Sequence, residues 1–291
     1  MHRFEYSAPQ SLEEALTLLK ERGDGVKLLA GGTDLLVHMK EGGLHPPAVI
    51  AIHTLPELRG IEFDEAAGLR IGAGVDMATV EAFPGVRERF TALAEGAGIV
   101  GSVQTRNMAT LGGNVANAAP SADAVPPLVV LDAVVEIAGP TGSRQAPVGE
   151  LSTGPGETTL APNEILVAVR LPTPPARTGS VYQRHTPRKI MDIAAVGVGI
   201  RLSLAADTDT IEEARICLGA VGPTVFRATA AEEALTGQAP SDELFGRAAE
   251  LAQAAASPVS DVRGSAEFRR HLVGVKTQRC LAIALERAKA G

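Results

Sequence analysis

The sequence contains only two cysteines, Cys217 and Cys280, and they lie far apart. No CxxC pair exists, so this chain alone cannot assemble a four-thiolate iron–sulfur cluster. Tryptophan is missing and other aromatics are few, two Tyr and seven Phe, which argues against an aromatic-lined pocket. There is no block of Lys or Arg, and 27 basic against 34 acidic residues give a formal charge of −7. That balance argues against nucleic acid or an anionic membrane surface as the main partner. Small anionic ligands remain open, since they need only local N–H groups and one or two cations. No apolar run approaches the length of a membrane span. The N-terminus, MHRFEYSAPQSLEEALTLL, lacks the apolar centre of a signal peptide. These absences together lead us to expect a soluble, reduced, cytoplasmic protein. No nucleophile, acid–base pair or metal constellation stands out.

What is present points to a folded chain. At 291 residues it is long enough for two domains, and a hydrophobic content of 45% supports a sizeable core. Glycine, at 31 residues, is roughly half again its usual share. Ser11-Leu-Glu-Glu14 reads as a capping box, with apolar residues then recurring at helical spacing until Gly23 or Gly25. The run Val26 to Ala30 reads as a buried strand, closed by Gly31-Gly32-Thr33-Asp34 before a helix at Leu35 to Met39. Such an element can present N–H groups to a phosphate; it can equally be an ordinary strand-to-helix turn.

Further strands are expected at Ala48 to Ile52, Leu69 to Val75, Val134 to Ala138 and Ile165 to Leu171. Thr79 to Glu95 carries helical spacing interrupted by Pro84. Gly96, Gly98 and Gly101 match GxGxxG but follow a helical pattern, so a Rossmann site is rejected. The stretch from Gly101 to Ala133 gathers polar side chains around Gly112-Gly113, and it reads as a ligand cradle or as a long surface loop. Ser121 is expected to cap the helix after it. The Pro172 to Pro175 run is the best domain boundary. Beyond it, Ala194 to Leu204 and Ile211 to Val221 read as a hairpin, followed by helices at Arg227 to Leu235, Asp242 to Ala256 and Ala266 to Lys289. In the last helix Phe268, Leu272, Val275 and Ala282 share the expected core face, with Arg263, Arg269 and Arg270 lining its approach. Strands grouped with helices, without regular alternation, make both halves α+β.

Ala30-Gly-Gly-Thr-Asp-Leu35, Gln104-Thr-Arg-Asn107 and Ala109-Thr-Leu-Gly-Gly-Asn114 together resemble the FAD-binding (medium) subunits of the molybdenum hydroxylases, the family of carbon monoxide and xanthine dehydrogenases. The Pro120-Ser-Ala-Asp123 and Arg188-Lys-Ile-Met-Asp192-Ile193 segments and the helical C-terminus extend the resemblance to essentially the whole chain. It implies an α+β fold, with an FAD-binding domain at 1–176 in subdomains of about 1–56 and 57–176. A smaller domain of antiparallel sheet plus helices would follow at 177–291.

Carried over residue by residue, Leu29, Ala30, Gly31, Gly32, Thr33, Asp34 and Leu35 would form one loop on the FAD pyrophosphate. Thr110, Gly113, Asn114 and Asn117 would form a second, with Thr105 and Ala109 beside it. Asp123 would hold a ribose or phosphate-side hydrogen bond. Val100 would contact the ring system and Leu166 would border the isoalloxazine. A basic residue after the Tyr182 strand, Arg184 or His185, would face the flavin N1/O2 edge. Ile193 stands where some relatives carry a Tyr against the flavin face.

The resemblance further implies an oxidoreductase with FAD as its cofactor and no metal site. Its partners would be a [2Fe–2S] small subunit and a molybdopterin large subunit in a dimer of heterotrimers, with NAD+ or a quinone as acceptor. A self-contained FAD-dependent oxidase or reductase on the same fold is the alternative, and a non-enzymatic nucleotide-binding or scaffold module the third reading.

Overall fold

The computed structural model describes residues 2–189 and 191–291. Met1, at the start of the N-terminal stretch, and Ile190, inside the Arg188 to Ile193 segment, lie outside the described residues.

Ser11 caps the helix Leu12–Arg22, its hydroxyl accepting from the Glu14 N–H at 3.2 Å. The return bond is displaced: the Glu14 carboxylate takes the N–H of Gln10, not of Ser11. Gly23, at φ 67, ends the helix in a conformation that favours glycine. This helix joins two strands of a parallel three-stranded sheet ordered Glu5–Ser7, Ala48–Ala51, Lys27–Leu29. Only the central strand is buried throughout, so the expectation of a buried strand at Val26 to Ala30 fails. A sheet of three strands has one interior position, and Lys27–Leu29 takes an edge.

Next comes a five-stranded antiparallel sheet ordered Ile61–Asp64, Gly68–Gly72, Ile165–Leu171, Val134–Gly139, Gly142–Pro147. The Gly68–Gly72 strand stops short of Val75 because the chain from Ala73 to Met77 leaves the sheet to bind the second glycine loop. The helical pattern at Thr79 to Glu95 resolves into Met77–Ala82, Pro84–Arg89 and Thr91–Gly98. Pro84 sits in a first turn, where its missing N–H costs nothing. Ser121 does not cap a helix. The helix Val125–Val130 starts after Ala124 without a side-chain cap, because Pro126 and Pro127 in its first turn have no N–H to satisfy.

Past the Pro172 to Pro175 run, a four-stranded antiparallel sheet follows, ordered Thr178–His185, Val196–Leu204, Ile211–Gly219, Phe226–Arg227. Its two long central strands form the expected hairpin. The helices Thr229–Leu235, Asp242–Ala255 and Ala266–Ala290 pack with it. On the last helix the buried face is Val273, Thr277, Cys280, Leu281, Ala284 and Ala288, not the expected one: Phe268 is 43% exposed and Ala282 is exposed. Small residues decide this, since a Cβ on Gly179 would lie 2.0 Å from the Ala284 carbonyl oxygen. Arg269 is buried and paired with Asp261, so it belongs to the packing and not to a solvated approach.

Two apolar clusters result, but they do not part at the Pro-rich run. Tyr182 and Cys217 of the four-stranded sheet, and Val225 just before its last strand, pack into the first cluster. The Ala220 N–H also donates to the Pro120 carbonyl at 2.7 Å. The two halves are keyed together at the end of the second glycine loop.

Candidate functional site

The two glycine loops meet backbone to backbone. A Cβ on Gly31 would lie 1.9 Å from the Met108 carbonyl oxygen and 2.9 Å from the Ala109 Cα, so only glycine permits the approach. The first loop leaves its strand at Leu29, whose carbonyl accepts from the Ile52 N–H at 2.9 Å. It turns at Gly32, φ 72, and enters the helix Leu35–Lys40. Among the described residues, the N–H groups of Gly31, Gly32, Thr33 and Asp34 meet no protein acceptor. Ala30, Gly31, Gly32, Thr33 and Leu35 are partly accessible, and Asp34 is exposed. A run of free N–H groups on accessible backbone is a nest for anionic oxygens.

The second loop is bound into the fold. Leu111 N–H donates to the Val75 carbonyl and Gly112 N–H to that of Ala73, both at 2.9 Å, while the Ala109 carbonyl accepts from Met77 N–H. The buried Thr110 caps the helix Leu111–Ala116 by accepting from Gly113 N–H at 3.1 Å. A Cβ on Gly112 would lie 2.5 Å from that of Ala73. Asn114 carries a buried Oδ1 with no partner. An unmatched buried acceptor costs about 1–3 kcal/mol, which a donor on a bound molecule would recover. Asn117 follows the helix end and is partly accessible.

The other expected residues are spread over several elements. Thr105 closes its own turn, its N–H and hydroxyl both bonded to Ser102 Oγ at 3.1 Å, and a Cβ on Gly101 would press against it. Val100 lies just beyond the Thr91–Gly98 helix and is partly accessible. Leu166 is 6% exposed, at a bulge in the Ile165–Leu171 strand. Ile193 is 50% exposed, and beside it Asp192 accepts from the backbone and side chain of Arg188. Among the described residues, no group of acids, His and Cys could hold a metal ion. Gly96 and Gly98 serve packing: Cβ atoms there would press on the Asp123 carbonyl and on Glu81.

Arg184 and His185 are separated by strand alternation. Arg184 shares a face with Tyr182, and both bond the Asp123 carboxylate: the Tyr182 hydroxyl donates to Oδ1 at 2.9 Å and the Arg184 guanidinium to Oδ2. His185 lies on the other face, its ring 5.8 Å from that of Phe268 on the last helix. Burial first, and the Lys276 charge second, hold the His185 imidazole below its usual range. Burial pushes the Asp123 carboxyl up to about 6, with Arg184 and the Tyr182 bond pulling the other way. Residue-type reasoning left Tyr182 out of the site; its spacing of two from Arg184 is the signal that places them on one face.

A cleft of about 630 Å³ opens elsewhere, lined by Arg87, Glu95, Thr178, Ser180 and Arg287 among others. None of the glycine-loop residues borders it, and its charges are of both signs and largely paired. The free N–H groups and the orphaned Asn114 oxygen mark the loops instead, and the Arg184 cation lies beyond them at Asp123. A pyrophosphate needs N–H donors, polyol hydroxyls need acceptors, and a reduced flavin needs a cation, so these residues fit FAD.

Comparison with known proteins agrees. A family model described as the FAD binding domain in molybdopterin dehydrogenase matches residues 2–174. A second, the CO dehydrogenase flavoprotein C-terminal domain, matches residues 182–284. The carbon monoxide dehydrogenase medium chain of Hydrogenophaga pseudoflava is 35% identical over 285 residues, covering 98% of both chains. The putative xanthine dehydrogenase FAD-binding subunit of Escherichia coli K12 is 34% identical over 284 residues, covering 97% of this chain and 96% of the relative. Among solved structures, a carbon monoxide dehydrogenase from Hydrogenophaga pseudoflava superposes with a TM-score of 0.94 at 36% identity over 98% of both chains. The chain belongs to the FAD-binding subunits of the molybdopterin dehydrogenase family, and FAD is its cofactor.

Proposed function

We propose that this chain is the electron-transfer subunit of a molybdenum-containing hydroxylase. It receives electrons from [2Fe–2S] centres on a small partner subunit and passes them to an external acceptor such as NAD+ or a quinone. The observation that carries this reading is the pair of interlocked glycine loops in a chain with no metal cluster among its described residues. A site that binds a redox cofactor but offers no nucleophile or acid–base pair leaves the chemistry to the cofactor.

Bound FAD would supply that chemistry, the storage of two electrons between donors and acceptors of different size. The N–H groups of Gly31 to Asp34 would bind the pyrophosphate. Asn114 and Asn117 would take polyol hydroxyls, and Leu166, Val100 and Ile193 would border the rings. Arg184, not His185, would face the flavin N1/O2 edge, because it lies on the sheet face turned toward Asp123 and the helix Val125–Val130. A cation held there favours reduction by stabilising the negative charge that arrives. Domain limits of 1–176 and 177–291, a dimer of heterotrimers with a molybdopterin large subunit, and a cytoplasmic setting complete the proposal. No helix among the described residues is long and apolar enough to cross a membrane.

Purification from the native source with flavin spectroscopy and metal analysis tests this reading. A flavin spectrum together with co-purifying iron and molybdenum is expected. Protein that stays colourless after reconstitution with FAD would overturn it.

A further inference from the structure

The Asp123 carboxylate lies where the two halves of the chain meet, and both of its oxygens are engaged by the same strand. Tyr182 and Arg184 project from one face of Thr178–His185, opposite Gly199 and Gly197 on the neighbouring strand. Those glycines make the arrangement possible. A Cβ on Gly197 would lie 2.7 Å from the Tyr182 hydroxyl, and one on Gly199 would lie 3.0 Å from the Pro126 carbonyl oxygen. With both positions bare, the large side chains lean across the sheet, and the helix Val125–Val130 settles on it with Asp123 just ahead. The Asp123, Arg184 and Tyr182 side chains are all nearly buried. Yet among the described residues Arg184 has only one acceptor, leaving the other edge of its fork without a protein partner.

A guanidinium with one arm anchored and the other arms free is a directed cation, not a closed ion pair. Its aim is set by Asp123, whose position is set in turn by the Tyr182 hydroxyl and by the helix that follows. We propose that Asp123 is a positioning residue. Held by Tyr182, it aims the Arg184 guanidinium at the flavin and fixes how much of that positive field reaches the N1/O2 edge. The inference rests on the FAD reading and adds to it a residue that acts on the reduction potential through another residue. A carboxylate beside the cation tempers its field, so neutralising the carboxylate while keeping the bond should strengthen the pull on electrons.

The test is a double-mutant cycle on the flavin potential, measured in the full chain loaded with FAD. Asp123→Asn keeps an oxygen for Arg184 and removes the charge. It should shift the flavin equilibrium about tenfold toward the reduced form, ~30 mV for a two-electron couple. In an Arg184→Met background the same substitution should shift the potential far less, because a buried carboxyl without its guanidinium partner keeps its proton and has little charge to lose. An equal shift in both backgrounds would make Asp123 a direct partner of the flavin and overturn the proposal, as would flavin-loaded Asp123→Asn with an unchanged potential. If Asp123→Asn does not fold, Tyr182→Phe takes its place: a less restrained carboxylate should lower the potential, and an unchanged potential overturns the proposal. A wild-type chain that takes up no flavin would instead overturn the FAD reading and this inference with it.

Discussion

The loop from Ala30 to Leu35 and the loop from Thr110 to Asn114 each carry a double glycine, yet they treat their N–H groups in opposite ways. In the first, Gly31 to Asp34 offer donors that no described residue accepts. In the second, Leu111, Gly112 and Gly113 all donate within the protein, to Val75, Ala73 and Thr110. The glycines differ accordingly. Gly31 lets one backbone lie on another, Gly112 lets the loop lie on Ala73, and Gly113 would meet only the cap hydroxyl. The same two letters thus mark a run of free donors in one place and a scaffold in the other. A scaffold can still carry a side chain with an unmet need, and the buried Asn114 oxygen has no protein partner.

The largest effect should come from Gly31→Ala, which attacks the contact between the loops. A Cβ 1.9 Å from a backbone oxygen cannot be relieved by turning a side chain. Overpacking of this kind costs about 1–3 kcal/mol, and we expect the upper end, with flavin lost on gel filtration. Urea unfolding and the visible spectrum measure the two losses. A variant that keeps both its stability and its flavin would mean that the loops do not interlock.

The next effect tests whether the tail of the second loop is turned inward at Asp123. Its folded-state carboxyl, at about 6, lies above the ordinary 3.8, so between those values the folded protein binds a proton that the unfolded chain releases. The ionised form is thus the disfavoured one, and wild type should lose stability relative to Asp123→Asn as pH rises from about 4 to about 6. Above and below that window the difference should be flat. At 1.36 kcal/mol per unit the span is on the order of 2–3 kcal/mol. Denaturant titrations of both proteins across that range check it. A difference independent of pH would place Asp123 in contact with solvent or ligand.

Much of this was legible in the sequence, and the parts that were not have identifiable physical causes. The Ile165–Leu171 strand and the hairpin of Val196–Leu204 with Ile211–Gly219 followed from apolar runs bounded by turns. The loops and the family followed from their motifs. Whether a short apolar run is interior or edge was not legible, because that depends on how many strands join, and Lys27–Leu29 takes an edge. The buried face of the last helix was not legible either, since close approach at Gly179 and Ala284 overrides an apolar stripe. Ser121 caps no helix because proline in the first turn removes the need for a cap. The engagement of Asp123 by Tyr182 and Arg184 spans about sixty residues of chain, and no local pattern carries it.

Gly113→Val should come next in size and should separate ligand from scaffold. The added side chain meets Thr110 Oγ1, 2.8 Å from the new Cβ, so the cap weakens. Loss of a cap costs about 1 kcal/mol. FAD affinity should suffer more than the fold, because the branched side chain occupies the accessible side of the loop. Apoprotein unfolding and flavin retention through gel filtration compare the two losses. A variant that elutes with its flavin would remove Gly113 from the ligand-facing part of the loop.

The smallest effect on the apoprotein, and the sharpest separation, should belong to Asn114→Ala. Its Oδ1 already bears the loss of water without a compensating donor, so removing it should not destabilise the apoprotein by more than about 0.5 kcal/mol. On the proposed reading a bound flavin would give the same oxygen a donor, and losing that bond should weaken FAD roughly tenfold, the equivalent of about 1.4 kcal/mol. A substitution silent in the empty protein and costly in the loaded one is what a scaffold with a single ligand-facing acceptor requires. Should Asn114→Ala destabilise the apoprotein by more than about 1 kcal/mol while FAD affinity holds, the oxygen is structural. The second loop would then contribute only the shape against which Gly31 packs, and the Gly31 to Asp34 donors would bind the ligand without it.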